Sequence, residues 1–200
     1  MKLVLENISK SFPGRKVFED ITFEIEQGKT FVITGPNGSG KSTLMKVIAS
    51  ILPPSSGRVI FYHDERQFSG SDILPYIGLA APDLFLYDEL TANENLHFFA
   101  RVSGMSANSY EPELKRFGLE GRGDDFVKSY SSGMKQRLKY ILALLRNPPL
   151  LLLDEPTANL DDSGKALVDE VIRDHDGITI IATNEESELK YASQTIKLGQ

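Results

Sequence analysis

One stretch, Gly35-Pro36-Asn37-Gly38-Ser39-Gly40-Lys41-Ser42-Thr43, constrains this chain more than any other. It follows an apolar run, Phe31-Val32-Ile33, and precedes a segment of helical character, Leu44 to Ile51, so it occupies a strand-to-helix turn. Glycines at 35, 38 and 40 permit positive φ and a close backbone approach, so that successive N–H groups can converge on anionic oxygens. The helix beginning beyond them adds its positive end. Lys41 carries a charge on a flexible stem that would reach β- and γ-phosphates, and the Ser42 hydroxyl is a hard oxygen ligand suited to Mg²⁺. The full G-x-x-x-x-G-K-[ST] pattern in this setting argues against an ordinary tight turn and for a nucleoside triphosphate site.

The remaining segments arrange themselves around that turn. Thr30 to Thr34, Leu150 to Leu153 and Ile178 to Ala182 are continuous apolar runs, as expected of parallel strands covered on both faces. Ile21 to Glu26 alternates apolar with polar, which suits a half-exposed antiparallel strand, and Leu3 to Leu5 reads as a short strand beside it. Phe12-Pro13-Gly14-Arg15 is a turn, and the polar run His63 to Asp72 reads as a loop. Further strands are expected at Arg58 to Tyr62, within Ile73 to Ala80, and at Thr195 to Leu198. Thr91 followed by Glu94 has the form of a capping box and predicts a helix over 92–102, with Leu96, Phe99 and Ala100 on one face. Other helices are expected at Glu113 to Phe117, Ser132 to Arg146, Ser163 to Asp174 and Glu185 to Ala192.

Strands alternating with helices imply an α/β fold whose mostly parallel core sheet presents ligands at the carboxyl ends of its strands. Residues from about 83 to 130 lack β-branched runs and are expected to form an inserted helical lobe. A length of 200 residues suits a single domain over 1–200. The chain has no cysteine, which excludes disulfides and thiolate metal sites. Its first residues lack a leader's apolar core, and the runs Ile141 to Leu145 and Leu150 to Leu153 are too short to span a bilayer, so a cytoplasmic location is expected. A net charge of −6 argues against nucleic acid as a partner.

Two further constellations carry chemistry. The leucine run ends in Asp154-Glu155, at the carboxyl end of a buried strand. There Asp154 would hold Mg²⁺ together with Ser42, and Glu155 would polarise the attacking water as general base. Tyr130-Ser131-Ser132-Gly133-Met134-Lys135-Gln136-Arg137 opens a helix, where hydroxyls and free N–H groups form an anion site; an N-cap with no other task explains the same residues equally well.

Together, over almost its whole length, the chain resembles the ATP-binding subunit of an ABC transporter. Gly35 to Thr43 matches the family's Walker A loop and Leu150 to Glu155 its Walker B strand with the catalytic glutamate. Ala158-Asn159-Leu160-Asp161 resembles the D-loop. Tyr130 to Met134 stands in place of the Leu-Ser-Gly-Gly-Gln signature and keeps Ser131 and Gly133. The resemblance implies a P-loop NTPase fold with an N-terminal antiparallel β subdomain, in the short form found among exporters. By the same resemblance Phe12 would stack on adenine, although a turn or core aromatic fits the sequence equally well. Lys41 and Glu155 would act on ATP, and Asp161 would lie at the nucleotide. Two subunits, as a homodimer or a heterodimer, would sandwich ATP and Mg²⁺ and power a membrane-embedded permease from the inner face of the cell membrane. The chain's end soon after its last strand would leave no regulatory domain.

Two positions depart from that pattern. Pro82 replaces the Q-loop glutamine and offers neither a side-chain amide nor an N–H, so that contact is absent or supplied by a neighbour such as Asp83. Asn184 replaces the switch histidine; it can hydrogen-bond a γ-phosphate but does not titrate near neutral pH. These departures keep open a slow ATP-binding switch that regulates a partner. A soluble ATPase acting on nucleic acid or ribosomes would call for a coiled-coil insertion or basic arm that the sequence lacks.

Overall fold

The computed structural model describes residues 1–105 and 109–199. An antiparallel sheet is built from β1 (Lys2–Phe12), β2 (Arg15–Glu26), β4 (Ser56–His63) and β5 (Arg66–Ser69), in the order β2-β1-β4-β5. A second sheet, parallel throughout, has the order β6-β7-β8-β3-β9, with β3 at Thr30–Thr34, β6 at Ile77–Ala80, β7 at Leu150–Asp154, β8 at Ile178–Thr183 and β9 at Gln194–Lys197. The α-helices are α1 (Lys41–Ile48), α2 (Ala92–Val102), α3 (Glu111–Arg116), α4 (Ser132–Leu144) and α5 (Asp162–Asp174).

The leucine run of β7 shows why buried parallel strands lose their alternation. Leu150 and Leu152 enter a core shared with α1 and the antiparallel sheet, while Leu151 and Leu153 enter a second core shared with α2, α3, α4 and α5. Both faces are dry, so every position is apolar. Residues 83–130 carry α2 and α3 and, among the described residues, contribute no strand to either sheet; residues 106–108 of the expected helical lobe lie outside the description. The capping box forms as its spacing predicts: the Glu94 N–H donates to Thr91 Oγ1 at 3.1 Å and the Thr91 N–H to Glu94 Oε2 at 2.8 Å. Among the described residues no helix is long and apolar enough to cross a membrane.

Four expectations need correction. β1 runs on to Phe12 rather than stopping at Leu5, because Asn7, at φ 47°, shifts the register and returns Ile8 to the buried face. β2 begins at Arg15, since Pro13 and Gly14, the latter at φ 75°, close a tight hairpin. The loop expected over 63–72 contains β5, folded back on β4 by Asp64 and Glu65, whose φ values of 47° and 62° are those of a hairpin turn. As an edge strand with little buried surface, β5 needs no apolar pattern. The segment Glu186–Tyr191 is 3₁₀ rather than α, for it has few residues before Gln194 must pair with Phe31.

Candidate active site

Register brings three distant segments together. Asp154 lies opposite Ala182, Ala182 opposite Ile33, and Thr34 opposite Thr183, so Gly35, Glu155 and Asn184 leave adjacent strands at one end of the parallel sheet. This is the carboxyl end, where an open α/β sheet places its ligands.

The glycine loop is shaped by close approach as well as by φ. At Gly35, with φ 146°, a Cβ would stand 2.6 Å from the Leu198 carbonyl oxygen and 2.7 Å from Ser39 Oγ. At Gly40, with φ 102°, it would meet Val17 Cγ1 at 2.5 Å. Gly40 is also the N-cap of α1 and supplies no capping side chain, so the first amides of that helix remain free to meet an anion. Lys41 is buried; its Nζ donates to the Gly35 carbonyl at 2.9 Å and lies 3.4 Å from Glu155 Oε1. Arg15 reaches the loop from β2, donating to the Gly38 carbonyl at 3.0 Å.

Phe12, Arg15 and Val17 line a cleft of 420 Å³ with Asn37, Gly38, Lys41, Ser42, Thr43 and Glu155. Thus the β1–β2 hairpin forms its outer wall and the glycine loop its floor. Phe12 is half-exposed there, with Lys10 Nζ 5.1 Å from its ring centroid. A larger cleft of 730 Å³ adjoins it, lined by Glu155, Asn37, Pro82, Asn184 and Glu188 among others.

Asp154 is buried with its Oδ1 unpartnered. Burial raises its carboxyl above the usual range, and the Ser42 hydroxyl beside it pulls the other way. A buried carboxylate oxygen lacking a donor, next to a hydroxyl, is the hard-oxygen pair that a divalent cation would satisfy, so the residues fit Mg²⁺. Glu155 adopts φ 49°, a left-handed conformation costly for a residue with a side chain, and its N–H donates to the Ala182 carbonyl at 2.8 Å. Asn184 Nδ2 donates to Asn37 Oδ1 at 3.2 Å, joining the switch position to the glycine loop.

The signature residues lie elsewhere. Ser131 caps α4, accepting from the Met134 N–H at 3.2 Å, and neither Ser131 nor Gly133 lines the two clefts. Gly133 instead faces the Asn159 carbonyl, which a Cβ would approach to 3.3 Å. Asp161 caps α5: its Oδ1 accepts from the Gly164 N–H and from Arg137, each at 2.8 Å, and these bonds hold its carboxyl below the usual range.

Sequence reasoning missed Lys139 and Glu188. Lys139 is buried in α4 and donates to the carbonyls of Ala81, at 3.0 Å, and Pro82. Burial lowers its ammonium below the ordinary lysine value, partly countered by Asp83. Its spacing from Gln136 and Ala143, both buried on the same helix, was the available signal. Asp83 itself pairs with Lys46 on the surface.

Comparisons with known proteins place the chain in one family. A family model described as ABC transporter matches residues 18–158. A lantibiotic transport ATP-binding protein of Streptococcus pyogenes is 35% identical over 184 residues, covering 91% of this chain and 79% of that protein. A cytochrome c biogenesis ATP-binding export protein of Mesorhizobium japonicum is 35% identical over 191 residues, covering 92% of each. Among solved structures, the ATP-binding subunit of an ABC transporter superposes with a TM-score of 0.87 at 28% identity, over 99% of this chain and 86% of that one. A dimeric ATP-binding cassette in a post-hydrolysis state, bound to ADP and Pi, gives 0.84 at 26% identity, over 98% of this chain and 94% of that one. The chain belongs to the ABC transporter family, as one of its ATP-binding, ATP-hydrolysing cassettes.

Proposed function

We propose that this chain powers a separate membrane-embedded permease, by pairing with a second cassette around ATP and parting from it after hydrolysis. The observation that carries this reading is the separation of the two anion-binding segments. The glycine loop, Lys41, Ser42 and Glu155 line one cleft, with Asp154 beside Ser42, while the α4 start with Ser131 and Gly133 lies outside it. A second chain, supplied head to tail, brings its own α4 start to the phosphates; that a similar cassette is dimeric with ADP and Pi bound supports the pairing.

In this reading the backbone amides of the loop and Lys41 hold the phosphates, Phe12 stacks on the base, and Glu155 orients and deprotonates the attacking water. Mg²⁺, held by Ser42 and Asp154, would supply charge neutralisation for the phosphate oxygens. Asn184 donates a neutral hydrogen bond where a histidine would give a charge-assisted one. The exposed aromatics of the helical lobe, Phe85, Tyr87 and Phe98, form an edge-packed cluster suited to the permease, which would keep the cassette at the cytoplasmic face of the membrane. Relatives are named for both export and import, so direction and substrate follow from the permease.

Glu155→Gln keeps the side chain's shape and removes the base, so ATP should persist at the interface. Light scattering with ATP and Mg²⁺ is expected to show a dimer that Ser131→Arg abolishes. A Glu155→Gln chain that stays monomeric at high protein and ATP concentration would overturn the composite site. The contact of Asn184 with Asn37 favours a second reading, a slow switch that holds its partner without rapid turnover. The wild-type turnover number separates the two.

A further inference from the structure

We infer that Glu188 is a positioning residue for ATP hydrolysis, bracing the segment that carries Glu155 against the segment that carries Asn184. The inference rests on the proposed roles of those two residues. Glu155, held at φ 49°, is a strained position that persists only where its surroundings over-determine it. Three consecutive residues are pinned from three directions. The Glu155 N–H donates to the Ala182 carbonyl of β8 at 2.8 Å. The Pro156 carbonyl accepts from the buried Tyr140 hydroxyl of α4 at 2.6 Å. Thr157 donates twice to Glu188 Oε1, from its N–H at 3.2 Å and its hydroxyl at 2.5 Å.

The third pin differs from the others because it comes from the short 3₁₀ segment following Asn184. Glu188 is 1% exposed, and its second oxygen is buried with no partner, an arrangement that stability alone does not favour. Burial raises the carboxyl above its usual range, while the bonds from Thr157 hold it down. Glu188 lines the same cleft as Asn184 and Glu155. It therefore reaches the main chain two residues beyond the base from the segment that follows the switch position, fixing the separation across which water and γ-phosphate must be aligned.

The test is single-turnover ATP cleavage by the full chain, in excess over ATP with Mg²⁺, alongside the ATP dissociation constant. Glu188→Ala removes both bonds and should slow cleavage at least about tenfold, with affinity within about threefold of wild type. Glu188→Gln can present its amide oxygen to both Thr157 donors and should restore cleavage to near the wild-type rate. Thr157→Val, close in shape, guards against misfolding and should slow cleavage about threefold to tenfold, with no further loss when added to Glu188→Ala. Wild-type cleavage in a folded Glu188→Ala chain, or Glu188→Gln as impaired as Glu188→Ala, would overturn the brace. Glu155→Gln, run in parallel, separates the two levels. Abolished cleavage there with intact cleavage in Glu188→Ala sinks the brace alone, whereas cleavage that survives Glu155→Gln overturns the role of Glu155 and the brace with it.

Discussion

Two helix starts in this molecule look alike in sequence and differ in what they leave unsatisfied. α1 opens through Gly40 in the left-handed region, with no side chain capping its amides. α4 opens through Ser131 in extended geometry, and the Ser131 hydroxyl already accepts from the Met134 N–H. An uncapped start keeps its donors for a ligand, and here the buried Lys41 adds a full charge beside them. A capped start is stable by itself and gains an anion only against its own internal bond. Nucleotide affinity of the single chain should therefore reside at α1, with α4 contributing once a second chain delivers the phosphates.

The largest expected effect that could break this comparison is at Lys41. Lys41→Ala should lower ATP affinity of the isolated chain at least tenfold by calorimetry, about 1.4 kcal/mol or more. Ser131→Ala is the matching probe at α4. It should lower unfolding free energy by about 1 kcal/mol in denaturant titrations through loss of the cap, while the single chain's ATP affinity stays unchanged. If Ser131→Ala weakened that affinity as much as Lys41→Ala does, the two starts would be equivalent and the comparison would fail.

The smallest effect belongs to a group remote from both starts and serves as the control. His175 Nε2 lies 2.8 Å from the Pro148 carbonyl and Nδ1 lies 2.9 Å from Thr179 Oγ1, so a neutral ring donates to the first and accepts from the second. Burial lowers its pKa below the ordinary 6.5. The folded state thus binds the proton more weakly than the unfolded chain. The stability His175 contributes is present above pH 6.5 and is lost as the pH falls from there through the folded-state value. Thermal melts of wild type and His175→Gln between pH 8 and 5 should converge on acidification. A gap that widened would reverse the assignment.

What could be read from the chain depended on how local the signal was. The glycine loop, the leucine strand ending in Asp154 and Glu155, and the capping box at Thr91 each state their geometry within a few residues. Asn7 was harder to read, because one left-handed residue shifts the apolar phase of β1 and disguises a long strand as a short one. For residues tied to distant partners the sequence can at most mark a buried face, as the helical spacing does for Lys139, and cannot name the partner. Lys139 meets Pro82 across 57 positions and Glu188 meets Thr157 across 31, and nothing in a lone lysine or glutamate announces such a bond. Asp161 shows a mixed case: its place in the chain matched the D-loop, whereas its side chain is engaged in capping α5 and pairing with Arg137.

Lys139 has a mechanical consequence. Tilting α4 away from the Ala81–Pro82 backbone would strand a buried ammonium without acceptors, a penalty far above that of parting a surface ion pair. Nearby, β6 runs so close to α4 that a Cβ on Gly78 would sit 2.2 Å from the Ala143 carbonyl oxygen, leaving no room for sliding. Helix and strand therefore swing as one welded beam. Of the contacts just beyond β6, the surface pair of Asp83 with Lys46 is the one where yielding is cheap.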